Sequence, residues 1–399
     1  MKKTFEMNFA GRKLVVETGE VAKQADASIL VRYGDTVVLS TVVVSKNVNL
    51  LSDFFPLMVL YQEKLYSVGK IPGGFIKREG RPSEAATLAA RMIDRPMRPL
   101  FPEDFRNEVQ IVNTVLSVDP DNSPELAALL GSSLAVSVSK IPFNGPVAGV
   151  KVGRVDGKLI INPNTEESEK SDIDLTVAGT KDAINMVESS AKEVKEEDML
   201  EALMFGHEAV KKIVNFENKI IKEIGEEKME YEKLEISEEL VNEIETISKD
   251  DVDKALRIKD KQEKYSKLDE IKEKIIEKYK EENSSKLTEE GLTELIAKIN
   301  IIYDKLEYKL FRHIVVSEGI RPDGRKMDEI RPLSAQIDFL PRTHGSALFT
   351  RGETQSLSVT TLGALGEHQI LDGLGLEDSK RFMLHYNFPQ FCVGETGRY

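Results

Sequence analysis

The chain has 399 residues and a formal net charge of −13, and 40% of its residues are hydrophobic and 31% charged. This length and composition allow two or three folded domains and exclude a disordered protein. Its one cysteine, Cys392, excludes an internal disulfide framework and fits reducing surroundings. The chain begins without the apolar stretch of a signal peptide and has no segment long and apolar enough to cross a bilayer, so we expect a cytoplasmic protein without membrane contact.

Alternating and β-branched segments predict an antiparallel sheet at the start of the chain. The first two strands are predicted over Thr4–Phe9 and Lys13–Glu17. Two more are predicted over Ser28–Arg32 and Thr36–Val44. Gly34 and Asp35 lie between the latter pair, which is typical of a hairpin turn.

Helices are predicted to alternate with these strands. Ser83 is in the position of an N-cap, and Pro96 is predicted to end the helix that follows it. A second helix is predicted over Ser123–Val138, because serine, proline and glutamate form a typical helix start. A long amphipathic helix is predicted over Asp198–Ile224.

The character of the sequence changes from residue 226 to about 310. Lysine, glutamate, isoleucine and leucine recur there at helical spacing, and this stretch contains no proline. We interpret it as a small all-helical domain, whose charged residues form a solvated face rather than a binding site.

After residue 310 the first part of the chain is repeated. Residues 28–42 align with 346–360 at an offset of 318, and residues 58–69 align with 383–394 at an offset of 325. The second copy is therefore predicted to have a loop seven residues longer between these two stretches. A repeat of this kind predicts two related domains on either side of the helical one.

The predicted organisation has three parts. The first domain spans residues 1–225, the all-helical domain 226–310, and an incomplete second copy of the first domain 311–399. Mixed strands and helices outside the helical segment predict an α+β fold class.

One segment of this acidic chain is basic. Residues 64–98 contain eight lysines or arginines and three acids. Because attraction to phosphate acts over about 8–10 Å in cell-like salt, a local basic segment can bind nucleic acid even in an acidic protein. A random fluctuation in composition remains the alternative for this window.

A series of motifs follows in order along nearly the whole chain. They are Asp53–Leu57, Tyr61–Glu63, Gly74–Glu84, Ile93–Pro96, Arg98–Pro102, Ile141–Pro146, Arg321–Arg325, Leu340–Phe349 and His385–Pro389. Together they resemble the polynucleotide phosphorylase family. The resemblance implies two RNase PH-like domains, of the ribosomal-protein-fold-like type, joined by a helical domain. It also implies KH and OB-fold RNA-binding modules, which are absent from these 399 residues.

The resemblance implies that the basic segment grips single-stranded RNA at the neck of a channel in a trimeric ring. Aromatic stacking on a base is worth about 1–3 kcal/mol, and cations follow the phosphates. Where the family commonly has a second phenylalanine this chain has Ile76, so one stacking platform is expected to be lost or weakened. The implied RNA-binding residues are Phe75, Lys77, Arg78, Arg81, Arg91 and Arg95.

A structural alternative stays open for the two arginines of the helix. Arg91 and Arg95 would then pair with Glu84 and Asp94 and only orient that helix. In that case replacing them would change stability and leave RNA binding intact.

The family activity is 3′→5′ phosphorolysis of RNA, which releases nucleoside diphosphates and uses phosphate and Mg²⁺. The resemblance places the catalytic and metal-binding residues in the second copy, beyond Tyr399, so we expect the chain to be truncated within that copy and inactive alone. The first copy has Asn122–Glu125 at the place of the phosphate-binding helix start, and Ser168 and Asp174 at the place of the metal-binding aspartates. No catalytic or metal site is therefore expected within the chain.

Two alternative functions remain. The chain is a non-catalytic RNA-binding or ring-forming subunit, or the product of a broken or partial gene. The partners implied by the resemblance are single-stranded RNA, two further copies in a homotrimer, and an RNA degradosome.

Overall fold

The structure is a computed structural model that describes residues 2–52 and 54–397. Asp53, which opens one of the sequence motifs, lies outside the described residues. Contacts divide the chain into two compact units. The first contains residues 2–49, 54–232 and 367–397, and the second contains 50–52 and 233–366.

The first unit contains a six-stranded sheet with the strand order β1-β2-β3-β4-β6-β5. All neighbouring strands are antiparallel except β5 and β6, which are parallel. The four strands predicted at the start of the chain are confirmed as β1 to β4. The strands are β1 (Lys3–Phe9), β2 (Arg12–Thr18), β3 (Ala27–Tyr33), β4 (Thr36–Val48), β5 (Leu57–Glu63) and β6 (Asn107–Ser117).

Helix α1 spans Glu84–Met97 and begins where it was predicted, because the Ser83 Oγ accepts a hydrogen bond from the Ala86 amide at 2.9 Å. The prediction that Pro96 ends this helix was wrong, since Pro96 lies within its last turn. A proline there removes a single amide donor, so the helix continues for one more residue. Helix α2 (Pro124–Val138) is confirmed.

A second sheet of four antiparallel strands follows, in the order β10-β9-β7-β8. The predicted long helix is confirmed as α4, which begins two residues earlier than expected, at Glu196. The elements are β7 (Ala148–Val155), β8 (Lys158–Ile161), α3 (Thr165–Lys170), β9 (Ile173–Gly179), β10 (Ile184–Ala191) and α4 (Glu196–Ile224).

Helix α2 lies at the centre of the first unit. It contacts β3 and β4 of the first sheet, β7 of the second sheet, and α4. Every residue from Leu126 to Val138 is buried, which is why this helix is apolar around its whole circumference. Each fully buried leucine, such as Leu129 or Leu134, stabilises the fold by about 1.5–3 kcal/mol relative to exposure.

Buried polar groups fix α2 against the first sheet. The Asn113 Oδ1 on β6 accepts hydrogen bonds from the Ser132 Oγ of α2 at 2.8 Å and from the Ser40 Oγ of β4 at 2.6 Å. A Cβ added at Gly131 would clash with the same Ser40 hydroxyl, so glycine allows the close approach of helix and strand. These polar atoms are all satisfied, and they set the position of α2 on the sheet.

The second unit contains three helices, in agreement with the predicted all-helical segment. Ile244, Leu268 and Tyr303, one from each helix, are buried in their shared core. No helix in the described parts of the chain is long and apolar enough to cross a membrane. The helices are α5 (Glu238–Leu256), α6 (Lys261–Asn283) and α7 (Glu289–Glu318).

The second copy repeats the strand pairing of the first. Its sheet has the order β11-β12-β13. The pairs Gly345–Thr360 and Ala27–Val42 occupy the same register position, 318 residues apart. The internal repeat is therefore structural. The strands are β11 (Leu333–Ile337), β12 (Gly345–Arg351) and β13 (Thr354–Thr360).

A capped turn repeats at the second offset. Gly69 has a left-handed backbone with φ +68°, and its amide closes a 3-10 turn over Leu65–Val68. The Gly394 amide, with φ +75°, closes the same turn over Gln390–Val393, 325 residues later. The longer loop predicted between the two matched stretches contains a small hairpin. Its strands are β14 (Gln369–Ile370) and β15 (Ser379–Lys380).

The predicted domain boundaries stay predictions. Helix α7 continues past residue 310 to Glu318, and residues 311–399 are divided between the two compact units.

Glu217 is a buried acid in the core of the first unit. It is fully buried on α4, and neither carboxyl oxygen has a hydrogen-bond partner among the described residues. Burial raises the pKa of Glu217 well above its usual value, against a smaller opposing effect of the Ser133 hydroxyl. The folded protein therefore keeps a proton on Glu217 at pH values where the unfolded chain has lost it.

We predict that Glu217→Gln removes a pH dependence of stability. In the parent, the free energy of unfolding should fall by up to about 1.4 kcal/mol per pH unit between the ordinary glutamate pKa and the raised one, because the folded state binds more protons there. The variant should gain stability relative to the parent as pH rises from 5 to 8 in urea titrations. Glu208→Gln, on the exposed face of the same helix, is the control. Parallel pH profiles for Glu217→Gln and the parent would contradict this account.

Candidate nucleic-acid interface

The segment before α1 forms an exposed loop, residues 69–83, here called the basic loop. Every residue from Gly73 to Ala85 is exposed. The Glu79 carboxylate accepts hydrogen bonds from the Lys64 Nζ at 3.1 Å and from the Leu65 amide at 3.3 Å. At its far end the Ser83 Oγ donates to the Glu63 Oε2 at 2.5 Å. The second half of the loop is therefore fixed to the end of β5 and to the residues that follow that strand.

The tip of the basic loop presents apolar side chains to solvent. Phe75 is fully exposed and Ile76 is 75% exposed. Lys77 has a left-handed backbone with φ +48°, and its amide donates to the Gly74 carbonyl at 3.0 Å. This tight turn leaves the Phe75 ring open to a stacking partner.

Two arginines of the loop have uncompensated charges. Arg78 and Arg81 are exposed, and in the described part of the chain neither side chain makes a hydrogen bond or an ion pair. Because no internal acid neutralises them, both are available to phosphate groups.

The two predicted arginines of α1 lie one turn apart on the same helix face and are both exposed. Arg95 pairs with Glu188 on β10, and each side chain of that pair is about half exposed. Arg91 has no ion pair with any residue that the structure describes. The Arg95–Glu188 pair is worth little, since exposed ion pairs contribute about 0–1 kcal/mol.

The partners proposed in the structural alternative were wrong. Asp94 pairs with Arg98 at 2.6 Å, and Glu84 lies 3.5 Å from Lys380. Asp94, one of the two expected partners, is thus bound by Arg98, a residue of the same segment for which no role was predicted.

Arg98 joins the end of α1 to β5. Its guanidinium donates to the carbonyls of Phe55 and Leu57, each at 3.0 Å, and pairs with Asp94. The hydrogen bond and charge of Asp94 raise the pKa of Arg98. A guanidinium with all these partners has a structural role, in contrast to Arg91.

Two residues of the second copy lie against the basic loop and were not predicted there. The Asp372 Oδ2 accepts a hydrogen bond from the Gly73 amide at 2.9 Å. The Gly373 carbonyl accepts one from the Lys70 Nζ at 3.1 Å. The sequence signal that marks them is the loop that is seven residues longer in the second copy.

The first-copy counterpart of the phosphate-binding helix start is closed by an ion pair. The Lys151 Nζ donates to the Glu125 Oε1 at 2.9 Å. Burial acts to raise the pKa of Glu125, but the charge and hydrogen bond of Lys151 outweigh it, so the pKa is lowered. An ionised carboxylate at the start of α2 does not fit a phosphate ligand.

The acids near the metal-binding counterpart are neutralised by an arginine. Arg154 binds Asp172 at 2.7 Å and Asp198 at 2.9 Å. The hydrogen bond from Arg154 lowers the pKa of Asp172. Among the described residues no group of three or more histidines, cysteines or acids is arranged to hold a metal ion. These donors do not fit Mg²⁺.

Sequence comparisons agree with this architecture. The profile of the 3′ exoribonuclease family, domain 1, matches residues 10–142 and again 329–399, together about half of the chain. The profile of domain 2 of that family matches residues 145–209. A profile described as the RNA-binding domain of polyribonucleotide nucleotidyltransferase matches residues 239–326.

Two curated polyribonucleotide nucleotidyltransferases are similar to nearly the whole of this chain. The polyribonucleotide nucleotidyltransferase of Bacillus subtilis (strain 168) is 56% identical over 396 residues, which cover 99% of this chain and 55% of that protein. The one of Geobacillus kaustophilus (strain HTA426) is 57% identical over 396 residues, covering 99% and 54%. The chain thus spans about half the length of the curated relatives it matches. A solved structure of rice Rrp46 is similar with a TM-score of 0.43 and 14% identity, covering 55% of this chain and 94% of that one.

A repeated antiparallel sheet, with a helical segment between the two copies, is the architecture of RNase PH-like proteins. The chain belongs to the 3′ exoribonuclease family and, within it, to the polyribonucleotide nucleotidyltransferases.

Proposed function

We propose that this chain holds single-stranded RNA for a polyribonucleotide nucleotidyltransferase, which degrades RNA 3′→5′ by phosphorolysis and releases nucleoside diphosphates. The observation that supports this most is the exposed tip of the basic loop. Phe75 has no protein neighbour covering its ring, and Arg78 and Arg81 have no ion pairs among the described residues.

The loop combines the two interactions that bind single strands without sequence preference. The Phe75 ring offers a stacking surface to any base, and Lys77, Arg78 and Arg81 offer cations to successive phosphates. Arg91 on α1 extends the positive charge beyond the loop, and Arg95, one turn further along the helix, is paired with Glu188. Ile76 adds apolar contact but no aromatic face, so each chain contributes one stacking ring at the tip.

A homotrimer would gather three such loops around one RNA strand. Three linked weak sites bind far more tightly than one, because the second and third contacts become intramolecular. A single chain is therefore expected to bind RNA weakly. The proposal also includes the cytoplasm as the place of action, and an RNA degradosome as a larger assembly.

Within this proposal the first copy does not perform the reaction. Phosphate and Mg²⁺ would supply the nucleophile and the charge stabilisation. The first-copy counterpart of the phosphate site contains the Lys151–Glu125 pair, and Asp172, two residues before Asp174 of the metal-site counterpart, is paired with Arg154. The role of the first copy is RNA handling, which is also the role of a non-catalytic subunit.

The helices over 239–326 are a second candidate for RNA contact, because the family profile matched there is described as RNA-binding. This segment contains 19 lysines and arginines and 21 acids, so its charge is balanced. Long-range attraction to phosphate therefore favours the basic loop as the principal site.

We predict that Lys77→Ala/Arg78→Ala weakens binding of the 399-residue chain to poly(A) mainly through electrostatics. Loss of two phosphate contacts should reduce the slope of log affinity against log salt by about 1.4 for a single strand. Phe75→Ala should cost about 1–3 kcal/mol in binding and leave this slope nearly unchanged. Fluorescence anisotropy at several salt concentrations measures both quantities.

Arg98→Ala is the matched control for these variants. It removes an arginine of the same segment that is bonded internally, so it should lower the melting temperature and leave the salt slope unchanged. The loop assignment is wrong if Lys77→Ala/Arg78→Ala and Phe75→Ala both bind RNA as the parent does.

A polypeptide of these 399 residues is predicted to release no nucleoside diphosphate from poly(A) in the presence of phosphate and Mg²⁺. Glu125 is paired with Lys151, and Asp172 and Asp198 are paired with Arg154. A site without contacts to phosphate and Mg²⁺ loses orders of magnitude in rate. Chromatography of the products with and without phosphate gives the answer. Phosphate-dependent release of ADP would show that the first copy, or the chain as a whole, is catalytic.

A further inference from the structure

The tip of the basic loop has one anchor outside the loop. Among the residues that the structure describes, residues 71–78 make a single hydrogen bond to the rest of the protein, from the Gly73 amide to the Asp372 Oδ2 at 2.9 Å. The other bonds of the tip are internal, from the Lys77 amide to Gly74 and from the Lys77 Nζ to Gly73.

The contact is made by the hairpin that distinguishes the second copy from the first. Asp372 and Gly373 lie in the turn between β14 and β15, which is closed by a hydrogen bond from the Leu371 amide to the Asp378 carbonyl at 2.8 Å. The Gly373 carbonyl also accepts from the Lys70 Nζ at 3.1 Å, so the turn contacts the loop at two points.

Gly73 allows this close approach. A Cβ at position 73 would clash with the Asp372 carboxylate and with no other residue within contact distance. An alanine at position 73 would therefore displace the Asp372 carboxylate from this hydrogen bond.

We propose that the β14–β15 turn positions the basic loop for single-stranded RNA, with Asp372 as the positioning residue. This inference rests on the proposed function. A loop that is already held in its binding conformation loses less conformational entropy when RNA binds. Asp372 acts on the backbone amide two residues before Phe75 and does not itself touch the RNA.

Because Asp372 is charged, it could either weaken RNA binding by repulsion or strengthen it by positioning the loop, and the two effects can be separated. Its carboxylate lies beside a loop that contains Lys70, Lys77 and Arg78, and a negative charge there repels phosphate. If repulsion is the main effect, removing the charge strengthens RNA binding. If positioning is the main effect, removing the hydrogen-bond acceptor weakens RNA binding.

Asp372→Ala and Asp372→Asn separate the two effects, because asparagine keeps a side-chain oxygen acceptor and loses the charge. We expect Asp372→Ala in the 399-residue chain to weaken poly(A) binding by roughly three- to tenfold, the worth of one hydrogen bond. Asp372→Asn should stay within about twofold of the parent on the same reasoning. Neither variant should shift the melting temperature, because the contact is exposed.

Two further variants test whether Asp372 acts through the loop. Phe75→Ala should cost less affinity in the Asp372→Ala background than in the parent, because a ring that is not held in place contributes less to binding. Gly73→Ala should weaken binding like Asp372→Ala, and the double variant should be no weaker than either.

The inference is overturned if Asp372→Ala binds poly(A) as the parent does, or if both Asp372 variants bind more tightly. It also fails if the losses from Phe75→Ala and Asp372→Ala are additive. Lys77→Ala/Arg78→Ala in the same assay identifies which idea has failed. If that variant weakens binding while Asp372→Ala does not, only the positioning role is wrong. If it binds RNA as the parent does, the loop is not the RNA site and both ideas are wrong.

Discussion

The burial of helix α2 on every side is the constraint on which the first unit depends. Two sheets and α4 pack around it, and the Asn113 hydrogen bonds to Ser132 and Ser40 fix its position on the first sheet. At the edge of that sheet, Arg98 at the end of α1 donates hydrogen bonds to the carbonyls of Phe55 and Leu57, at the start of β5. The buried helix thus determines where α1 and the basic loop before it are placed.

The arginines of this region fall into two groups, those bound by acids and carbonyls of the protein and those with no such partners among the described residues. Arg98 donates to two carbonyls and pairs with Asp94, so its charge and its donors are used within the protein. Arg78, Arg81 and Arg91 have no such partners in the described part of the chain. A protein with a net charge of −13 therefore keeps uncompensated positive charge on one short segment, where it can attract a polyanion.

Much of the fold was predictable because local patterns determine it. Strand alternation predicted β1 to β4, and the repeat predicted a related second copy. In that copy β12 and β13 pair in the register of β3 and β4, and both hairpins turn at a left-handed glycine, Gly34 and Gly352. Local patterns do not determine contacts between distant segments. For this reason the sequence pointed to the wrong partners for Arg91 and Arg95, and Glu188 of β10 was not foreseen.

The candidate site was likewise predictable where it is contiguous in sequence and not where it depends on a distant residue. The motif that contains Phe75 to Arg78 is contiguous, so the basic segment was located from the sequence, and the structure shows this part of it as an exposed loop. Its contact with Asp372 joins residues about 300 positions apart and has no motif of its own. The only signal was the extra length of the second copy, which predicts a different loop but not its neighbour.

Photo-crosslinking tests most directly whether single-stranded RNA binds at the basic loop. A poly(A) oligonucleotide with photoreactive bases is bound to the 399-residue chain and irradiated, and the attached peptides are identified by mass spectrometry. This account predicts crosslinks within residues 71–81, centred on Phe75, that are lost in Phe75→Ala and at high salt. Crosslinks confined to the helices over 239–326, with none in the basic loop, would contradict it.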